Sequence, residues 1–181
     1  MAVSFPHGWQ RGAIGLFMTF LAVGCSEIQI PLGSTSLNSF YNEEQPTLSG
    51  NGRFLAFVSN RNGRRRILLY DLQEQRLSDL PGLNRSGSIA QSPSLSYTGR
   101  YIAYLADRNG KPAIAVYDRT TRHSQPLTLW YRGQVRNPNI SPDGRYIVFE
   151  SGRRGEWDIE LIDRGPDIEL DTPSSPPVNQ F

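Results

Sequence analysis

The side chains that most often carry nucleophilic, proton-transfer or metal chemistry near neutral pH are scarce in this chain. It holds two histidines, His7 and His123, and one cysteine, Cys25. No Gly-x-Ser-x-Gly elbow is present, so serine hydrolysis has no nucleophile in a recognisable setting. Gly50-Asn51-Gly52 opens like a phosphate loop but lacks the third glycine, and it falls between two strand patterns, where it reads as a hairpin. Asp158, Glu160, Asp163, Asp167, Glu169 and Asp171 crowd one stretch and have the oxygen chemistry of a calcium site. Their spacing matches no calcium loop, and a strand pattern sends them to mixed faces, so they read as a solvated outer edge. The expectation is no catalytic residue, no metal ligand and no cofactor, hence no enzyme.

The basic residues carry more information. Of 19, all but Lys111 are arginine. Arg53, Arg100 and Arg145 recur at a regular spacing, as do Arg61, Arg108 and Arg153. On equivalent elements each set forms an arc, with two readings: pairing with the recurrent Asp71, Asp118 and Asp163, or an anionic partner docked along one face. Arg64-Arg65-Arg66 reads as a solvated hairpin. Trp130, Tyr131 and Trp157 are the candidate aromatic platform, with packing between repeats as the other account. Trp157 stands where the other repeats have Arg65 and Pro112.

These residues are positioned by an internal repeat. Pro46 to Ser59, Pro93 to Ala106 and Pro138 to Ser151 each read as a short strand, a turn and a second strand, offset by 47 and 45 residues. The register continues through Ile67, Ile114 and Ile159, then Asp71, Asp118 and Asp163. Such a period marks an array of one supersecondary unit. Gly52, Gly99 and Gly144 close the first turn, and Asn62-Gly63, Asn109-Gly110 and Arg154-Gly155 the second; hairpin turns of this kind favour residues that tolerate positive φ. The second strands, such as Phe54-Leu55-Ala56-Phe57-Val58, are continuous apolar runs suited to burial on both faces. Third strands begin at Ile67, Ile114 and Ile159. Weaker fourth strands are expected at Arg76 to Leu80, His123 to Leu127 and about Ile168 to Thr172. Four antiparallel strands per period describe a β-propeller blade. The fold class is therefore all-β: three four-stranded antiparallel blades, a partial or oligomer-completed propeller.

The run Ser141-Pro142-Asp143-Gly144-Arg145-Tyr146-Ile147-Val148-Phe149-Glu150-Ser151, followed by Arg153, Gly155 and an Ile-rich strand ending in Asp163, resembles the propeller repeat of the TolB family. The same repeat occurs in the propeller domains of tricorn protease and prolyl-oligopeptidase relatives. The resemblance covers about Pro46 to Thr172. It implies a propeller scaffold and, through TolB-like proteins, a role in envelope complexes; repeats one and two carry Gly50-Asn51 and Tyr97-Thr98 in place of the Pro-Asp pair.

Ahead of the repeats, Ala13 to Gly24 is an uncharged apolar run, signal-peptide length and short for a membrane span. Leu21-Ala22-Val23-Gly24-Cys25 resembles a bacterial lipobox, which implies cleavage before Cys25 and lipidation of that residue. A lone cysteine also rules out an internal disulfide. Without residues 1–24, whose one charge is Arg11, the chain keeps 18 basic and 17 acidic side chains, a balance that favours no nucleic-acid surface.

The expected organisation is a signal peptide at 1–24, an anchor and linker at 25–45, the three-blade domain at 46–172 and a disordered Pro/Ser-rich tail at 173–181. Within the linker, Glu27 to Leu32 alternates like a strand and is either blade-completing or extended tether. The function read from this is a non-enzymatic TolB-like interaction module, an exported envelope lipoprotein facing the periplasm. Its partners are envelope proteins or further copies of itself, and the membrane is reached through the N-terminal lipid. The alternative is a glycan-binding or hydrolase-accessory domain. No small-molecule substrate is indicated. Three blades should not close a ring, so the outer faces of repeats one and three are expected to be open.

We predict that membrane-extracted protein has the intact mass of a chain beginning at acylated Cys25, and that Cys25→Ser releases it from the membrane without unfolding it. An unmodified Met1 start in the extracted protein contradicts the assignment.

Overall fold

The computed structural model describes residues 37–85, 88–108 and 110–172. Cys25, the apolar run before it, the Glu27 to Leu32 pattern and the tail lie outside them. Eleven antiparallel strands form three sheets among the described residues. Blade one is β1 (Glu43–Leu48), β2 (Phe54–Ser59), β3 (Arg66–Asp71) and β4 (Arg76–Ser78). Blade two is β5 (Ser88–Leu95), β6 (Tyr101–Arg108), β7 (Lys111–Asp118) and β8 (His123–Pro126). Blade three is β9 (Val135–Ile140), β10 (Tyr146–Ser151) and β11 (Asp158–Asp163). Within each blade, consecutive strands are hydrogen-bonded neighbours.

The repeated sequence produces a repeated hairpin. In each blade a serine before the turn bonds the residue that opens the second strand. Ser49, Ser96 and Ser141 Oγ accept from the backbone N–H of Phe54, Tyr101 and Tyr146, all at 2.9 Å. The N–H of Gly52, Gly99 and Gly144 then donates to the same serine's carbonyl at 2.9, 3.1 and 2.9 Å. The glycines sit at φ 71°, 72° and 80°, where an L side chain is strained. The first strands carry a matching irregularity. Gln45, Ser92 and Asn137, each just before a proline, take φ near 50°, and the strand pairing shifts register there. These are bulges, which bend a strand and sharpen its twist.

Two hydrophobic cores hold the blades in a stack. Phe54, Ala56, Val58, Ile67 and Leu69 of blade one pack on Ile102, Tyr104, Ala115 and Tyr117 of blade two. The other face of blade two packs Tyr101, Ala103, Leu105, Ile114 and Val116 on Val135, Ile140, Ile147 and Phe149 of blade three. β6 is therefore buried on both faces, as a continuous apolar run requires. Polar ties cross the same seams: Asn51 N–H to Tyr97 O at 2.9 Å, and Tyr97 N–H to Pro142 O at 2.7 Å.

Three expectations need correction. First, blade three has three strands among the described residues. The segment expected as its fourth strand, about Ile168 to Thr172, has no strand pairing. It turns back over the hairpins of blades two and three, because stronger partners lie there. Asp171 accepts from Ser96 Oγ (2.5 Å), Thr98 N–H (2.8 Å) and Thr98 Oγ1 (2.6 Å), and donates its own N–H to Asp143 O. Second, Asp171 does not lie on a solvated edge: it is 5% exposed, and these three donors satisfy it. Third, the two ends of the stack differ. On the rear of blade one Phe57 and Tyr70 are buried, whereas on the front of blade three β10 exposes Tyr146 and Val148 and β11 alternates between half-buried and exposed residues.

Gly144 also sits against the Tyr101 ring, so a Cβ there would collide with it, whereas a Cβ on Gly52 meets nothing within 4 Å. Both sites carry the strain of positive φ, of order 1–3 kcal/mol. We predict that Gly144→Val destabilises the domain by clearly more than Gly52→Val in chemical denaturation; equal losses would mean that backbone strain alone sets the cost.

Candidate functional site

The recurrent arginines of the second strands are structural. Arg53 donates to Asp71 through Nε (3.0 Å) and Nη2 (2.8 Å), Arg100 pairs with Asp118 at 3.3 Å, and Arg145 with Asp163 at 2.8 Å. Each carboxylate also caps the turn after its strand, accepting backbone N–H groups: Gln73 and Glu74 to Asp71, Thr120 to Asp118, Gly165 to Asp163. The three carboxyls are held below the ordinary range. For Asp71 the Arg53 hydrogen bond is the main cause. At Asp118 burial pulls the other way and is outweighed by Arg100 and backbone donors. Asp163 is drawn to about 2, chiefly by Arg145.

Of the second arginine set the side chains of Arg61 and Arg153 are described, and they are not equivalent. Arg61 has a side chain 6% exposed; it donates to Glu43 Oε1 at 2.7 Å and to Leu37 O at 2.9 Å. A guanidinium so enclosed is not available to a partner, and β1 starts at Glu43, ahead of the Pro46 boundary, to supply its counter-charge. Arg108 ends β6, its backbone opposite Ser88 and Lys111. Arg153 pairs with Glu160 at 3.3 Å and lies 5.5 Å over the Tyr131 ring.

The aromatic residues separate onto different surfaces. Tyr131 packs edge-on against Phe149, centroids 5.6 Å apart, at the rim of the second core, and burial pushes its phenol pKa up. Trp130, 76% exposed, lines a cleft between blades two and three with Gln125, Leu127 and Ile168. Trp157 lies on the other side of blade three, with the Arg136 guanidinium 3.7 Å from its ring centre. Arg136 in turn donates to Glu150 at 2.6 Å.

That side of blade three is the most distinctive surface among the described residues. The positions that form the front face of blade one (Phe54, Ala56, Val58, Ile67, Leu69) and of blade two (Tyr101, Ala103, Leu105, Ile114, Val116) correspond in register to Tyr146, Val148, Glu150, Ile159 and Leu161. In the first two blades these residues are buried under the next blade. In blade three Ile159 is 74% exposed and Leu161 60%, with Tyr146, Val148 and Trp157 each more than a third exposed. Leaving an Ile or Leu in water forgoes about 1.5–3 kcal/mol relative to full burial. Sequence reasoning had placed an open face here but missed Arg136, and missed a third arginine set in register, Arg119 and Arg164, which lie over Phe54 and Tyr101 at 4.1 and 4.3 Å. Their 45-residue spacing was the available signal. Among the described residues no group of three or more His, Cys, Asp or Glu could hold a metal ion.

With this geometry in hand, comparison with known proteins places the stack. No protein-family model matches the chain, and no curated protein matches it. Solved structures do. TolB from Acinetobacter baumannii superposes with a TM-score of 0.61 at 28% identity, covering 71% of this chain and 31% of that one. The fold is a TolB-like propeller. A putative TolB from Agrobacterium tumefaciens gives 0.61 at 22% identity over 80% of this chain and 50% of its own. Tricorn protease gives 0.51 at 19% identity, over 70% and 14%, a likeness of fold alone. The chain thus spans about a third and a half of the two TolB structures.

The ion-pair geometry sets a pH dependence. A carboxyl whose folded pKa lies below its unfolded value, near 3.9, stabilises the fold fully above that value and loses this contribution as pH falls through the folded pKa. We predict that thermal stability falls as pH drops from about 4 toward about 2, and that Asp71→Asn, less stable at neutral pH, shows a shallower acid dependence. Parallel acid profiles for the two proteins contradict this.

Proposed function

We propose that this chain is a non-enzymatic, TolB-like interaction module that binds proteins of the bacterial cell envelope. In this reading it is exported, processed at Cys25 and held by lipid with its blades facing the periplasm. The observation that carries it is the likeness to TolB in fold and, for the Acinetobacter protein, in 28% of aligned residues. Tricorn protease shares the blade architecture, but a propeller is a scaffold on which unrelated functions are mounted. The exposed apolar front of blade three adds weight, since a contiguous apolar patch on a folded domain marks an interaction surface.

Trp130 and Trp157 supply an observation for the second reading, an envelope-glycan binder: exposed indoles suit stacking on sugar rings. The two readings differ in what the protein retains. We predict that the immobilised mature protein captures specific envelope proteins, and that soluble peptidoglycan fragments leave its tryptophan fluorescence unchanged. Saturable quenching by the fragments, without protein capture, favours the glycan reading.

A further inference from the structure

Blades in this stack dock by one device, used twice. The hairpin glycine of the following blade lies on the aromatic ring that opens the second strand of the preceding one: Gly99 on Phe54, and Gly144 on Tyr101. An arginine just after the third-strand Asp of the following blade then reaches back over the same ring. Arg119 lies over Phe54 while donating to Gly99 O at 3.2 Å; Arg164 lies over Tyr101 while donating to Gly144 O at 2.6 Å. Blade three presents the same receptor. Tyr146 opens β10, with Arg145 over its ring at 5.1 Å as Arg100 lies over Tyr101 at 5.0 Å. Among the described residues no following glycine or arginine occupies it, and the ring is 39% exposed.

Two features narrow the occupant. A second copy of this chain would offer blade one, but there the arginine position holds Leu72, and on the rear face that must receive Ile159 and Leu161 the two aromatic side chains are already covered, Phe57 at 3% and Tyr70 at 7% exposure, with Leu48 the side chain left open. Residues 164–171, which follow β11, do not run forward either: they turn back onto blade two, where Tyr101 Oη donates to Glu169 O at 2.6 Å.

We propose that the front face of blade three is a docking surface for a β-propeller blade of the same repeat type, carried by another polypeptide. That blade seats a hairpin glycine on Tyr146, lays the arginine of an Asp-Arg pair over the ring, and covers Val148, Ile159 and Leu161 with an apolar rear face. The proposal rests on the interaction-module reading and adds the surface and the kind of partner.

The test places a photo-crosslinking amino acid at Ile159, and separately at Trp130, in the full-length protein in its native cells, with the captured peptides sequenced by mass spectrometry. The expected result is capture from position 159 of a peptide within a propeller repeat of another protein, one with a hairpin glycine and an Asp-Arg pair. Leu161→Arg should lower that yield at least tenfold while leaving the thermal midpoint unchanged, because Leu161 is exposed. Capture of a second copy, of this chain's own terminal residues, of lipid or of a protein without such repeats overturns the proposal, as does a yield indifferent to Leu161→Arg. Specific protein capture at 130 with none at 159 overturns it while leaving the interaction reading intact; no capture at either position removes both.

Discussion

A glycine pressed onto an aromatic ring is the contact on which the stack depends. At Gly144 the Tyr101 ring fills the space a Cβ would need, and at Gly99 the Phe54 ring comes within 3.2 Å of that position. The hairpins of blades two and three must therefore satisfy two demands with one residue: a backbone at positive φ, and no side chain toward the neighbouring blade. Glycine alone meets both. The serine three residues before it fixes the hairpin by holding the first N–H of the second strand, so the glycine arrives at the same place in each blade. Once it does, the aliphatic rows behind it meet the next sheet in register.

The charges are arranged around this contact. Arg53, Arg100 and Arg145 lie over the ring that follows each of them, and their partners Asp71, Asp118 and Asp163 sit directly opposite those rings across the strand pair. Burial pushes Arg119 and Arg164 toward lower pKa, a sign of how dry the seam is; the faces of Phe54 and Tyr101 and the hairpin carbonyls compensate them. The ion pairs also aim the guanidinium groups; the half-exposed Arg145–Asp163 pair contributes least by itself, whereas Asp71 and Asp118 are enclosed, their side chains 4% and 17% exposed.

The sequence made the repeat legible because the demands of the hairpin recur at fixed offsets: Ser, Gly, Arg, an aromatic, then Ile and Asp. It showed the open front of blade three for the same reason, since Tyr146, Val148, Ile159 and Leu161 keep the apolar types of their buried counterparts. What it concealed is set by contacts made once. Nothing local marks Asp171 as a buried acceptor; its donors Ser96 and Thr98 are 75 and 73 residues away. A weak strand pattern at 168–172 loses to that anchor, so blade three lacks a fourth strand among the described residues. The burial of Phe57 and Tyr70 on the rear of blade one, and the enclosure of Arg61 by Glu43, were hidden likewise, because a periodic pattern says which face is apolar and not what lies against it.

One residue breaks the pattern on the open face. Where blades one and two place Val58 and Leu105, blade three has Glu150, tied at 2.6 and 2.9 Å to Arg136, which lies over Trp157, and to Asn137. Covering that end with a purely apolar sheet would strip water from an ion pair, and desolvation of such a pair can exceed what its attraction returns. The opposite end, around Tyr146, Val148 and Leu161, carries the Arg145–Asp163 pair, whose counterpart Arg100–Asp118 stays paired beneath the next blade. An occupant in the register of blades one and two also covers Glu150, the counterpart of the buried Val58 and Leu105, so it must meet that pair with a polar group. An acid in place of an aliphatic residue thus costs some contact area and asks a polar group of the occupant at one position, a demand that a face of Ile, Leu and Val alone could not make.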